Sequence, residues 1–165
     1  MRSVLALAGW LALSFAAAAL GGYFLAGGWS ARVQGPSHYE RIFGPVWRLP
    51  NWLFGPIWMV HYAMMAIGAW LVWRRGGFAE QRLALSLFVL QLLFNALWSP
   101  LFFGLENPAL ALVDIVLLWF ALLATVAAFR KARLLAGVLL YPYLVWVTCA
   151  GVFNLLAWVV PRLVG

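Results

Sequence analysis

The stretch LALSLFVLQLLFNALWSPLFFG, residues 83–104, decides the fold of this 165-residue chain. It is apolar on nearly all sides and lacks the alternation of apolar and polar residues over about ten positions that membrane β-strands show. An apolar helix of roughly 20 residues is long enough to cross the hydrocarbon core of a bilayer. The stretch therefore predicts a membrane-spanning α-helix.

The composition places the rest of the chain in the same class. Hydrophobic residues make up 67% of the sequence and charged residues 9%, which leaves too little polar surface to cover a soluble globule. Apolar runs of spanning length predict five helices, over residues 4–26, 51–73, 83–104, 108–129 and 136–160. We expect one domain, residues 1–165, folded as an all-α integral membrane bundle of five transmembrane helices.

The N-terminal run has the outline of a signal peptide, because Arg2 precedes an apolar segment that ends in alanines. At about 23 residues the segment is longer than the 7 to 15 residues typical of a signal-peptide core. A retained first span is the favoured interpretation.

The basic residues predict the orientation of the bundle in a bacterial-type membrane. Seven lie at the N-terminus and in the second and fourth loops: Arg2, Arg74, Arg75, Arg82, Arg130, Lys131 and Arg133. Four lie in the first loop and the C-terminal segment: Arg32, Arg41, Arg48 and Arg162. The positive-inside rule then predicts a cytoplasmic N-terminus and an external C-terminus. This bias and attraction to anionic lipid account for the net charge of +7, so no nucleic-acid partner is expected.

Spans two, three and five each carry aromatic and amide residues along one helical face. The three stripes are Phe54, Trp58, Tyr62 and Met65; Gln91, Asn95, Trp98 and Phe102; and Tyr143, Trp146, Ala150, Asn154 and Trp158. At 1.5 Å per residue, Trp58, Trp98, Asp114 and Asn154 lie roughly 9 to 10 Å, and Asn95 roughly 14 Å, from the membrane face that carries the first loop. Polar groups are costly inside a bilayer unless they face protein, water or a ligand. Their convergence predicts a pocket in that half of the membrane.

Simpler interpretations exist for each polar residue. Asn95 and Gln91 can serve as interhelical hydrogen-bond partners, which contribute about 0.6 kcal/mol per pair in membranes. Asp114 can be a structural acid near a helix N-terminus, and His61 a packed or hydrogen-bonded histidine. In the pocket interpretation, Asp114 and His61 provide polar support.

The first loop, residues 27–50, is long and rich in aromatic residues. Loops of this length are often lids or binding loops, so it is interpreted either as a cap over an apolar cavity or as a segment lying on the lipid headgroups. The sequence contains no recognisable Ser/His/Asp set, metal-ligand cluster or nucleotide loop. We therefore expect no metal site and no required cofactor.

An ordered set of residues from the first loop to span five resembles one known family. The set comprises Pro45, Trp47, Pro50, Asn51, Trp52, Phe54, Gly55, Pro56, Trp58, Tyr62, Gln91, Leu92, Asn95, Trp98, Ser99, Phe102, Phe103, Gly104, Asp114, Trp119, Pro142, Tyr143, Leu144, Trp146, Ala150 and Asn154. In this order and spacing the residues resemble the tryptophan-rich sensory protein and translocator protein family (TspO/MBR).

The resemblance implies a homodimer with a pocket under the first loop that binds porphyrins, haem or other flat hydrophobic molecules. Small-residue pairs in span one, Ala17 with Gly21 and Ala18 with Gly22, could support close helix contacts. Together with the stripes, the resemblance gives these candidate ligand-binding residues: Tyr39, Phe54, Trp58, Tyr62, Gln91, Asn95, Trp98, Trp146, Ala150 and Asn154.

Three functional classes follow. The favoured one is a tetrapyrrole-binding membrane protein that acts as a sensor, regulator or transporter. The second is an enzyme that degrades porphyrin in light and oxygen, with Trp58 and Trp146 as its candidate catalytic residues. The third is a lipid-handling, sterol-handling or scaffold protein.

Overall fold

The computed structural model describes residues 2–25 and 51–164, and these ranges form helices joined by short turns. The helices are α1 (Arg2–Leu25), α2 (Asn51–Trp73), α3 (Gly77–Ser99), α4 (Pro108–Ala132), α5 (Leu134–Val138) and α6 (Tyr141–Val164). A π-helical turn, Pro100–Gly104, extends α3. Five stretches are long and apolar enough to cross a membrane, with α5 and α6 together forming the fifth. The predicted all-α bundle of five spans is confirmed.

The packing order of the helices leaves a seam between α2 and α6. Helix α1 packs against α2 and α3, α3 packs against α4, and α4 packs against α6, while α5 joins α2 and α4 at one end. Within the described residues, no comparably close packing joins α2 to α6. These two helices meet through aromatic side chains, as between Trp58 and Trp146.

Helix α4 contributes nine buried residues to the interior. Its buried residues recur at intervals of three and four, as expected for one face of a helix. They are Ala111, Asp114, Ile115, Leu118, Ala121, Leu122, Thr125, Val126 and Phe129. Because this face contacts both α3 and α6, α4 holds the two sides of the bundle together.

Glycine, asparagine and proline residues determine where the turns between the helices form. Gly76 has φ 107° and Gly77 has φ 63° between α2 and α3, a left-handed backbone that glycine adopts without steric cost. Asn107 caps α4, since its side-chain oxygen accepts a hydrogen bond from the Leu110 N–H at 3.0 Å. Pro108 then occupies the first helical position, where its missing N–H costs nothing.

The third and fourth helices extend beyond the predicted spans. The third helix begins at Gly77 rather than at residue 83, with non-helical dihedrals at Gln81 (φ −112°, ψ 27°). Residues before the break at Gln81, such as Glu80, form a helical turn outside the apolar run, so a prediction made from apolar residues did not include them. The fourth helix runs to Ala132 rather than 129, and basic residues in its last turn favour this extension through the helix dipole.

The fifth span is interrupted, although the sequence predicted one helix over residues 136–160. A turn at residues 139–140 separates α5 from α6. Pro142 accounts for the break, because it has no N–H to donate to a carbonyl one turn earlier and is tolerated only in the first turn of a helix. The chain restarts its helix at Tyr141, and the Leu144 N–H donates to the Leu140 carbonyl at 2.9 Å.

One of the two small-residue pairs of helix α1, Ala17 with Gly21, packs against another helix of the same chain. Ala17 is buried, and a Cβ added to Gly21 would lie 3.2 Å from the Ser99 hydroxyl oxygen. This pair therefore brings α1 close to α3 of the same chain. Among the described residues, nothing lies within 4 Å of a Cβ added to Gly22, whereas Ala18 is half-buried and packs against the core.

Candidate functional site

Asn95 joins three helices in the centre of the bundle. The Tyr62 hydroxyl of α2 donates a hydrogen bond to its side-chain oxygen, and its amide nitrogen donates to the Tyr143 hydroxyl of α6. All three residues are buried. Tyr143 was absent from the predicted site residues, although it lies on the same stripe as Trp146, and that spacing was the signal for it.

Asn154 makes a second three-helix junction. Its side-chain oxygen accepts a hydrogen bond from the Trp98 indole N–H at 3.0 Å. Its amide nitrogen donates to the backbone carbonyl of Pro108 at 2.7 Å. Helices α3, α4 and α6 thus meet at one asparagine that is 1% exposed. Asn95 makes the interhelical hydrogen bonds that the simpler interpretation described, and Asn154 makes bonds of the same kind.

An aromatic cluster fills the seam between α2 and α6. Trp58 stacks on Tyr62, with ring centroids 5.7 Å apart, and meets Trp146 edge-on at 5.9 Å. His61 lies 5.8 Å from the Trp146 ring and 5.9 Å from the Tyr143 ring. The predicted site residues Trp58, Tyr62 and Trp146 are therefore neighbours, and His61 lies among them.

The remaining described candidates surround this cluster less directly. Ala150 is half-buried one turn beyond Trp146 on α6. Gln91 is fully buried and its amide nitrogen lies 3.9 Å from the Met65 sulfur. Its side-chain oxygen has no hydrogen-bond partner among the described residues.

Asp114 is buried as the seventh residue of α4. The stabilisation of a negative charge by the helix dipole falls off within the first turn, so the dipole contributes little to Asp114. One carboxylate oxygen, Oδ2, is buried without a hydrogen-bond partner in the described part of the chain.

Two predicted components of the site cannot be placed. Tyr39 and the whole of the candidate capping loop, residues 27–50, lie outside the described residues. The backbone of Phe54 belongs to α2, but its side chain is also outside the described part.

Two concavities of the described residues lie elsewhere. One, of 540 Å³, is an apolar groove on α1 and the end of α2, lined by Trp10, Leu13 and Trp73 among others. The other, of 370 Å³, lies between α4 and α6 beside Trp119 and Thr148. Both are open to the surroundings, and neither contains the cluster around Trp58. No group of three or more His, Cys, Asp or Glu side chains that could hold a metal ion occurs within residues 2–25 and 51–164.

These features define the class as an integral membrane protein of five helical spans with a polar and aromatic interior between the second, third and fifth spans. Comparison with known families gives the particular family: the model of the TspO/MBR family matches residues 8–159, and the chain belongs to that family. The resemblance inferred from the sequence is confirmed.

Named relatives come from animals and bacteria. The human translocator protein is 39% identical over 127 residues, covering 76% of this chain and 75% of the relative. The tryptophan-rich protein TspO of Chlorobaculum tepidum is 38% identical over 121 residues, covering 71% and 75%. The protein CrtK of Rhodobacter capsulatus is 36% identical over 146 residues, covering 86% and 84%.

Proposed function

We propose that this protein is a membrane-embedded binding protein for porphyrins and related flat, hydrophobic molecules, and that it acts as a sensor or regulator. The observation that carries the proposal is the aromatic cluster of Trp58, Tyr62 and Trp146 in the seam between α2 and α6. Relatives named as tryptophan-rich sensory protein and translocator protein support a role in sensing or translocation.

The chemistry of the cluster suits a tetrapyrrole. Aromatic rings bury large apolar areas and prefer stacked or edge-on contacts with other π systems. Trp58 and Trp146 already make such contacts across the seam, and a flat ligand entering there would replace ring–ring contacts by ring–ligand contacts. Because the described residues of α2 and α6 make no close backbone packing with each other, the seam can admit a ligand without breaking a helix interface.

The asparagines have a different role in this proposal. Asn95 and Asn154 are engaged in hydrogen bonds between helices, so they fix the distances between the walls of the site. Affinity for the ring then comes mainly from the indole side chains. Orientation of the propionates falls to the candidate capping loop, where the sequence places Arg32, Arg41 and Arg48.

The test is a titration of the full-length protein in nanodiscs with protoporphyrin IX, followed by the absorbance of the porphyrin. The test variant is Trp58→Leu/Trp146→Leu. The matched control is Trp70→Leu/Trp73→Leu, which also removes two tryptophans but none from the proposed site. Two aromatic contacts of about 0.5 to 1.5 kcal/mol each total about 1 to 3 kcal/mol, which corresponds to a loss of about 5- to 140-fold in affinity. We expect this loss in the first double variant only.

Two results would overturn the proposal. One is the absence of saturable porphyrin binding by the wild type. The other is a Trp58→Leu/Trp146→Leu protein that keeps its helical circular dichroism spectrum and binds protoporphyrin IX as tightly as the wild type.

A further inference from the structure

His61 is a histidine of α2 that lies among the aromatic residues of the proposed site. Its ring is tilted 37° to the Trp146 ring, at 5.8 Å between centroids, and also contacts Tyr143. Only 9% of the residue is exposed. These contacts with two rings of α6 hold the imidazole in the seam between α2 and α6.

The hydrogen bond of this imidazole determines its tautomer. His61 Nδ1 lies 2.8 Å from the backbone carbonyl oxygen of Ile57. A carbonyl can only accept, so Nδ1 carries the proton and donates. In the neutral ring, Nε2 then holds a free lone pair. Within the described part of the chain, the imidazole hydrogen bond is the one made by Nδ1, and Nε2 is not among the fully enclosed polar atoms.

From this geometry we propose that His61 coordinates, through Nε2, the central metal of a metalloporphyrin bound in the seam. A protein imidazole that ligates a metal usually donates its other N–H to a carbonyl or carboxylate, which fixes the ring orientation and raises its basicity. The Ile57 carbonyl provides that acceptor here.

The donor type narrows the class of ligand. Imidazole nitrogen suits iron and zinc, and histidine is a common axial ligand of haem iron. The inference rests on the proposed function and narrows its ligand to porphyrins that carry a metal with an open axial position. Coordination forms one Nε2–metal bond and releases a weakly bound water or chloride from the metal. No electron is transferred, and the proton stays on Nδ1.

The experiment compares three probes with the same ring: iron(III) protoporphyrin IX, zinc protoporphyrin IX and metal-free protoporphyrin IX. Each is titrated into full-length wild type, His61→Leu and His38→Leu, which removes the chain's other histidine. We expect the wild type to bind both metal forms about tenfold more tightly than the free base, and the iron form to show the absorbance and electron paramagnetic resonance signals of imidazole ligation. His61→Leu should lose both effects and keep its free-base affinity, whereas His38→Leu should retain both.

A cavity variant separates loss of the ligand from loss of the fold. In His61→Gly, added imidazole should restore the spectrum of imidazole-ligated iron within the protein. An unchanged iron spectrum in His61→Leu, or its loss in His38→Leu alone, would overturn the role of His61 while leaving the proposed function in place. If none of the three probes binds the wild type saturably, both proposals fail.

Discussion

Replacing Asn95 by leucine should destabilise the bundle by about 1 to 3 kcal/mol. The substitution removes the hydrogen bonds to Tyr62 and Tyr143 and preserves most of the side-chain volume. Interhelical hydrogen bonds in membranes contribute about 0.6 kcal/mol on average and about 1.7 kcal/mol at most, so two bonds give this range. The substitution also leaves two tyrosine hydroxyls without partners in an apolar interior. We therefore expect the loss of stability to exceed the average for two interhelical hydrogen bonds.

The assay is reversible unfolding in mixed detergent micelles, followed by tryptophan fluorescence and circular dichroism. Tyr62→Phe/Asn95→Leu/Tyr143→Phe is the key control, because replacing all partners of a hydrogen bond by apolar groups of similar shape is nearly neutral. The triple variant should recover at least half of the loss. Tyr141→Phe, on the exposed face of α6, should change stability by less than about 0.5 kcal/mol. A loss below about 0.5 kcal/mol in Asn95→Leu, or a triple variant less stable than the single one, would refute the reasoning.

Three further outcomes are expected. Trp98→Phe removes an indole donor to α6 and should lower the free energy of unfolding by about 0.6 kcal/mol; no change would contradict that bond. Gly137→Ala places a Cβ 2.9 Å from the Arg130 backbone nitrogen and should cost about 1 to 3 kcal/mol, measured by thermal unfolding against wild type. An Arg75→Cys protein in a Cys149→Ser background should react with an impermeant maleimide only from the cytoplasmic side, and labelling from outside would reverse the predicted orientation.

The number and type of the helices could be predicted because they depend on the apolar length of each segment. Residues 51–73 were predicted as a span, and α2 has these bounds. Helix ends were harder to place, since they depend on interactions that hydropathy does not report. The start of α3 depends on the backbone of Gly76 and Gly77, and the break before α6 depends on a proline inside an apolar run.

The sequence predicted which helical face carries each residue of the site, but not which residues of different helices contact each other. Their spacing in the sequence predicted that Trp58 and Tyr62 lie on one helical face, and their rings are stacked in the structure. Spacing alone could not show that Asn95 bonds to Tyr143, because the partner depends on which helices are adjacent and how they rotate. For the same reason, Trp10 had no assigned role in the sequence, yet it is buried and packs edge-on against Phe88 at 5.5 Å.

The positions of the partners of Asn95 in the chain determine the order in which its hydrogen bonds can form during synthesis. Its partners are 33 residues earlier and 48 residues later in the chain, and synthesis proceeds from the N-terminus. When α3 first enters the bilayer, Tyr62 is already available but Tyr143 has not been made. The nascent bundle therefore holds a half-satisfied amide until its last span is inserted, and docking of α6 completes that amide's hydrogen bonding. A chain truncated before Tyr141 lacks this closing contact, which gives membrane quality control a polar defect to recognise.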